Sequence, residues 1–250
     1  MTLKLAASTV LWGKLGTMKQ FRQMLAEMKA IGYEGIGLEP SLLPDDGLRR
    51  PELVSEAIEA AGLTNAGSYS APLPRDREWT VQSHTPLVWM VLGDRRRCED
   101  AVVRLERAIQ EYDGTPVIVT LHNHLRTCFE TESEVKGALR ALKDLKLCFD
   151  TAHAECSGIN AIDFIRRHHD RIALLHVQDL RLSLPRRKIQ FERDFVNIGK
   201  GVVNFKGIFR ALRESGFGGY LMLETEASGG MPPLTLAREG YSQMSKLAFS

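Results

Sequence analysis

Short β-rich runs alternate with longer amphipathic runs from one end of this 250-residue chain to the other, and no other feature restricts its fold as much. Strand-like runs cover Lys4–Ser8, Gly35–Glu39, Thr64–Ser70, Leu87–Leu92, Pro116–His122, Leu145–Asp150, Ile172–Val177 and Gly219–Glu224. Between them the apolar period predicts helices over Thr17–Ile31, Arg50–Ala61, Glu99–Tyr112, Glu132–Leu142, Ala161–His168, Phe205–Glu214 and Leu234–Leu247, with a poorer one over Arg75–Gln82. Gly32, Gly62 and Gly216 stand just past helix ends, where a left-handed residue stops a helix. No composition shift and no Ser-, Gly- or Pro-rich linker divides the chain. The expectation is an α/β fold, a single (β/α)8 TIM barrel domain over residues 1–250, trimmed around the third βα unit, where 72–84 is short. A doubly wound open sheet is the alternative. The longest connection, Asp179–Asn204, follows the seventh strand, and loops of that length are often functional.

In a parallel barrel the active site forms at the C-terminal ends of the strands. Those ends read Glu39, then His122-Asn123-His124, Asp150 with His153, His176 with Asp179, and Glu224 with Glu226. Alternation along a strand puts His122 and His124 on one face, as it does Glu224 and Glu226, and makes Ile172, Leu174 and His176 one inward row. Imidazoles and carboxylates with no thiolate at the strand ends suit Mn²⁺, Zn²⁺, Co²⁺ or Fe²⁺. The plainer alternative is a set of separately hydrogen-bonded strand-end side chains. Trp12, just beyond the first strand, is placed to wall a substrate pocket. Arg186 or Lys188, in the long loop, is placed to meet a substrate phosphate or carboxylate, whereas Arg95–Arg97 and Arg166–Arg167 read as solvated faces.

Thirty-three Lys and Arg against 31 Asp and Glu give a net charge of +2, too little to hold a polyanion, so no nucleic-acid partner is expected. No window reaches the roughly 18 apolar residues of a membrane span, and the first residues lead directly into a strand, so the expected location is cytoplasmic. Cys98, Cys128, Cys148 and Cys156 form no CxxC pair and read as reduced, mostly structural thiols.

The segments LHNH (121–124), CFDTAHAECSG (148–158), RIALLHVQDL (171–180) and FVNIGKGVVNFKGIFRALRESGFGGYLMLE (195–224), with the opening KLAASTVLW, resemble the xylose isomerase-like TIM barrels, also called the sugar phosphate isomerase/epimerase superfamily. That resemblance implies one divalent metal ion, Mn first and Co, Zn, Fe or Mg after it, held by Glu, Asp, His and Glu at the ends of strands five to eight. Asp150, His176 and Glu224 fall on three of those positions. Where many members have Glu-Asn-His, this chain has His122-Asn123-His124, similar to the His-x-His of inosose dehydratases. The resemblance makes His122 the fourth ligand and His124 a substrate-facing residue, with the register between the two left open. It also gives Glu39 a place near substrate, His153 a substrate contact ahead of a metal contact, and Glu224, His124 and His153 the proton transfers.

By the same resemblance, the substrate is a small sugar or cyclitol. The reaction is isomerisation or epimerisation through a metal-stabilised enediolate. The alternatives are a dehydratase or lyase acting on a keto-sugar or inosose, C-glycoside cleavage included, and a catalytically silent accessory barrel. Endonuclease IV-type DNA repair needs further histidines from early strands, and none here precedes His84. Members of the superfamily are often oligomeric, so a homo-oligomer, or a subunit of a hetero-oligomer, is expected.

Overall fold

Eight parallel strands close on themselves in the computed structural model, which describes residues 3–70, 74–182 and 185–249. β1 (Lys4–Ser8) leads through a 3-10 turn, Thr9–Trp12, to α1 (Met18–Ile31). β2 (Gly35–Leu38) is followed by α2 (Asp45–Arg49) and α3 (Glu52–Ala60), β3 (Thr64–Tyr69) by α4 (Pro74–Gln82), and β4 (Leu87–Met90) by α5 (Ala101–Glu111). β5 (Ile118–His122) precedes α6 (Glu132–Ala141), and β6 (Lys146–Asp150) runs into α7 (Thr151–Cys156) and α8 (Ala161–His168). After β7 (Ile172–Val177) come β8 (Asp179–Leu180), α9 (Phe191–Asp194) and β9 (Phe195–Val196), then α10 (Phe205–Glu214), β10 (Tyr220–Leu223) and α11 (Pro233–Ala248). The barrel order is β1-β10-β7-β6-β5-β4-β3-β2. The third βα unit keeps a nine-residue helix, α4, while residues 71–73 of the short segment lie outside the described residues.

Local chemistry sets these boundaries. Thr17 and Gln20 form a reciprocal capping box at the start of α1, and Thr131 with Glu134 does the same for α6. Gly32, at φ +119°, ends α1. Alternation divides the strand side chains into two layers. Ala6, Ala66, Leu87, Trp89, Cys148, Leu174 and Met222 pack inside the barrel, and a larger cluster including Phe21, Leu25, Ile36, Phe149, Phe164 and Phe209 joins strands to helices. The interior is tight: a Cβ on Gly37 would collide with the Met222 thioether.

Ile172 departs from the expected inward row. The register across β6 and β7 shifts so that Leu147 pairs with Ile172 and Cys148 with Leu174, leaving Ala173 as an extra residue. That bulge breaks the parity, so Ile172 packs in the outer cluster while Leu174 lies in the inner one.

The connection after β7 is built rather than open, because β8 and β9 pair antiparallel within it. The Asp179 carboxylate accepts the backbone N–H groups of Leu180, Gly199, Gly201 and Val203 at 2.8–3.0 Å. Asp179 thereby closes the loop on itself.

The reduced-thiol expectation is corrected at one pair. Cys98 and Cys128 form a disulfide with Cα atoms 5.1 Å apart. An isolated antiparallel bridge between Asp94 and Thr127 brings the β4 and β5 loops together, a juxtaposition that a sequence separation of 30 residues does not disclose. Cys148 and Cys156 are free and buried. Among the described residues no helix is long and apolar enough to cross a membrane.

Candidate metal centre

β5, β6, β7 and β10 end side by side, and register fixes what meets there: His122 lies beside Cys148, Asp150 beside His176, and His176 beside Met222, two residues before Glu224. Asn123 ties two of these ends together. Its amide oxygen accepts the Asp150 N–H at 2.8 Å and its Nδ2 donates to the Asp150 carbonyl at 3.1 Å.

Four of the expected residues converge. His176, fully buried, has Nδ1 2.9 Å from Glu224 Oε2 and 3.9 Å from Asp150 Oδ2. Its ring stands edge-on to Trp89, with centroids 5.0 Å apart. Asp150 Oδ1 caps α7 by accepting the His153 N–H at 2.7 Å, which leaves Oδ2 for the cluster. His122 has Nδ1 3.3 Å from the Cys148 carbonyl. A carbonyl can only accept, so Nδ1 carries the proton and Nε2 presents its lone pair, the arrangement usual in a metal-ligating histidine. Burial, then His176 and His124, hold the His122 pKa well below 6.5, which keeps the ring neutral.

The carboxylates are pushed apart. Burial raises Asp150 well above the ordinary carboxyl range, and Glu224 and Glu226 add to the shift. Burial also works upward on Glu224, but His176 and then His124 bring it below its usual value. Glu226 is pushed up to about 8 by burial and by Glu224.

His124 and His153 form a second pair, with ring centroids 3.9 Å apart. His124 Nδ1 donates to the Leu125 carbonyl at 2.8 Å, whereas the Leu125 N–H donates to His153 Nδ1 at 3.1 Å. The tautomers are therefore opposite: His124 offers an Nε2 lone pair, and neutral His153 offers an Nε2–H. Burial lowers the pKa of both, with neighbouring imidazoles adding to the shift at His153. Phe191 stands edge-on to both rings, and Phe195 lies 4.7 Å from His153.

The remaining expected residues lie around this cluster. Glu39 is half-buried at the end of β2, where its carboxylate accepts from the Ser41 hydroxyl and its N–H donates to Thr9. Trp12 packs, partly buried, against the main core at the end of the first 3-10 turn. Lys188 is exposed and lines a cavity of about 850 Å³ with Arg126, Arg181, Arg187 and Arg193. The Arg186 side chain lies outside the description. Arg95 pairs with Glu130 and Glu134, Arg166 with Glu214, and Arg167 with Glu132, as befits helix and loop faces.

Sequence reasoning missed three contributors. Asn123 and Trp89 position the ligand-bearing ends, and alternation alone does not reveal such contacts. Cys148 was legible, since it lies two residues before Asp150 on the same inward face. Donor atoms of His122, Cys148 and His176 lie within 4.8 Å of one another, as do those of His122, Asp150 and His153.

The donor set fits a divalent ion. Asp150 Oδ2, His176 Nδ1 and Nε2, and Glu224 Oε2 are buried without a hydrogen-bond partner. His176 Nδ1 and Glu224 Oε2 are in contact but not aligned as a hydrogen bond. Orphaned polar atoms cost roughly 1–3 kcal/mol each, and a cation shared by His176 Nδ1 and the two carboxylate oxygens would satisfy three of the four.

A profile described as xylose isomerase-like TIM barrel matches residues 77–247. The chain belongs to that family. It is 26% identical over 119 residues to an inosose dehydratase of Geobacillus thermodenitrificans, a match covering 43% of this chain and only 40% of that protein. A D-allulose 3-epimerase from Methylomonas sp. superposes with TM-score 0.75 at 15% identity, over 98% of each chain. The IolI protein, solved with a binding zinc atom, superposes with TM-score 0.78 at 14% identity, again over 98% of each chain. At these identities the structural likenesses carry the fold alone.

Proposed function

We propose that this chain is a divalent-metal-dependent enzyme that relocates a proton beside the carbonyl group of a small sugar or cyclitol, as an isomerase or epimerase. The reading is carried by the meeting of Asp150 Oδ2, His176 Nδ1 and Glu224 Oε2, buried and without hydrogen bonds, beside a neutral His122. His122, Asp150, His176 and Glu224 would hold the ion, with His122 rather than His124 as the strand-five ligand because His122 belongs to both groups of converging donor atoms, one with His176 and one with Asp150, and His124 to neither. When bound, such an ion polarises an adjacent carbonyl and hydroxyl and acidifies the C–H bond between them.

The chain supplies the proton traffic. Glu224, kept ionised, serves as a carboxylate base, and His124 Nε2 accepts a proton where His153 Nε2–H donates one. Glu39, Trp12 and His153 contact substrate, and Lys188 takes an anionic substituent where the substrate has one.

The make-up of this cluster supports a second reading, dehydration. With His122 in place of a glutamate, Glu224 is the one carboxylate base on a matched position, and a histidine acid suits departure of a hydroxyl group. The inosose dehydratase relative agrees with that reading. The test is elemental analysis of the purified protein, followed by a screen of ketoses and inososes for solvent deuterium incorporation against loss of water. About one Mn, Co, Fe or Zn per chain, lost in His176→Ala and Glu224→Ala, is expected. A folded protein that takes up no metal on reconstitution overturns both readings.

A further inference from the structure

The loop after β7 gathers more positive charge than its surroundings neutralise. Arg126, Arg181, Arg187, Lys188 and Arg193 line the cavity of about 850 Å³ against one carboxylate, Asp194, whereas the whole chain carries a net charge of only +2. Asp194 is already committed. Its buried side chain accepts Nε–H and Nη2–H of Arg193 at 2.7 and 2.6 Å and the Gln190 N–H at 2.9 Å, which fixes one guanidinium in place. Arg181 is held by its Nε–H on the Arg193 carbonyl, and Arg126 by an Nη2–H on the Ile189 carbonyl. A guanidinium has donors to spare after such bonds. Arg187 and Lys188 are exposed and, among the described residues, pair with no carboxylate. Arginines on the solvated faces of this protein do pair, Arg95 with Glu130 and Arg166 with Glu214. Like charges around one cavity repel unless an anion joins them.

The cavity also adjoins the histidine pair. Phe191 stands edge-on to His124 and His153, with ring centroids 5.4 and 5.6 Å away, and the Arg126 guanidinium lies 5.3 Å from the same ring. Arg126 reaches that ring from a left-handed backbone, φ +66°, which a non-glycine residue adopts at a cost, and such outliers gather at ligand clamps.

We propose that this cavity is a phosphate subsite serving the metal centre, and that the substrate is a phosphomonoester of a sugar or cyclitol rather than the free compound. The inference rests on the metal-dependent reading above. A carboxylate, with one charge and two oxygens, is met by a single bidentate arginine. A phosphomonoester carries nearly two charges near neutral pH and three outer oxygens, so it engages several cations at once. Arg126, Arg181 and Arg193 are donors already held in place, and Arg187 and Lys188 add charge from the exposed rim. Phe191 sets the phosphate one ring away from His124 and His153, a separation suited to a sugar that presents its carbonyl end to the metal and its far end to the arginines. The phosphoester is bound and not cleaved.

The experiment is calorimetric titration of the full-length, metal-loaded protein with inorganic phosphate, followed by the deuterium and water-loss screen on matched free, phosphorylated and carboxylate-bearing ketoses and inososes. Phosphate should bind the parent and His176→Ala alike, because the subsite stands apart from the metal. It should bind the double variant Arg187→Ser/Lys188→Ser roughly tenfold more weakly or worse, and the exposure of both side chains keeps the fold out of question. In the screen, phosphorylated substrates should exceed their free counterparts in kcat/KM by roughly 100-fold, the worth of two charge-assisted hydrogen bonds. The double variant should lose that margin through KM rather than kcat. Phosphate that binds the double variant as tightly as the parent, or that is lost with the metal in His176→Ala, overturns the subsite and leaves the metal-dependent reading intact. So does equal use of free and phosphorylated compounds, or a preference for carboxylate-bearing ones. Phosphate bound as expected by a folded protein that takes up no metal overturns the metal-dependent reading, and the substrate assignment falls with it.

Discussion

Replacing Asp179 by alanine should unfasten the loop after β7 without emptying the metal centre. The carboxylate is 1% exposed and accepts from Leu180, Gly199, Gly201 and Val203 at 2.8–3.0 Å. Hydrogen bonds to a charged group contribute about 1.5–3 kcal/mol each, so four would reach about 6–12 kcal/mol if they added. They do not add fully. Lys200 and Gly201 are exposed, so water reaches part of that turn, and the substitution also removes a carboxylate whose burial raises its pKa. The net loss is about 4 kcal/mol, which for a chain of this size lowers the melting temperature by roughly 8–16 °C. Thermal unfolding by circular dichroism, with metal content measured in parallel, tests this. Asp179→Asn keeps one acceptor oxygen and should recover part of the loss. A variant melting within about 2 °C of the parent would refute the clamp, and loss of metal without loss of stability would recast Asp179 as a ligand.

Saturating Zn²⁺ at about 100 times its Kd should stabilise the metal-free protein by about 2.7 kcal/mol, an effect that His176→Ala removes in denaturant titrations. His122 and His153 have folded pKa values well below the roughly 6.5 of an unfolded histidine, so the unfolded chain binds more protons below that pH. Their contribution to stability is therefore present above about pH 6.5 and lost as pH falls below it. Urea unfolding between pH 7 and pH 5 should show a shallower loss in His153→Gln, and identical slopes would argue against a buried neutral ring. Cys148 and Cys156 are buried, and burial pushes both thiols upward, Cys156 to about 12, so iodoacetamide at pH 8 should label neither until the protein unfolds. Mass spectrometry that finds both alkylated in the folded protein would contradict the inward placement.

Much of the barrel is written in local pattern. Ile172–Val177, Ala161–His168 and Phe205–Glu214 have the bounds their periodicity implies, because apolar alternation and caps such as Asn160 and Asn204 act within a few residues. The strand-end rule likewise placed His122, Asp150, His176 and Glu224 together. What escaped the sequence depends on pairing between distant segments. The extra residue at Ala173 exists only relative to β6, the Cys98–Cys128 link only through the Asp94–Thr127 bridge, and the β8–β9 ribbon only because Asp179 gathers residues some 20 positions away. The short α7 was hidden for another reason: it starts directly from the strand, with the Asp150 side chain as its cap, so no turn signal announces the helix that carries His153.

Leu125 gives its N–H to one imidazole and its carbonyl to the other, and its side chain has no part in either bond. Donor and acceptor are thus assigned by main-chain direction, and exchanging them would require both rings to turn over against each other and against Phe191. On the proposed reading the pair is a one-way valve for protons: His124 takes one and the adjacent His153 gives one. The handedness of the chemistry would then be encoded in a stretch of backbone. That stretch is held by the Glu130 carboxylate, which accepts the Arg126 N–H, and by the disulfide at Cys128. Side-chain substitution at Leu125 would leave that handedness unchanged, whereas reshaping the loop would not.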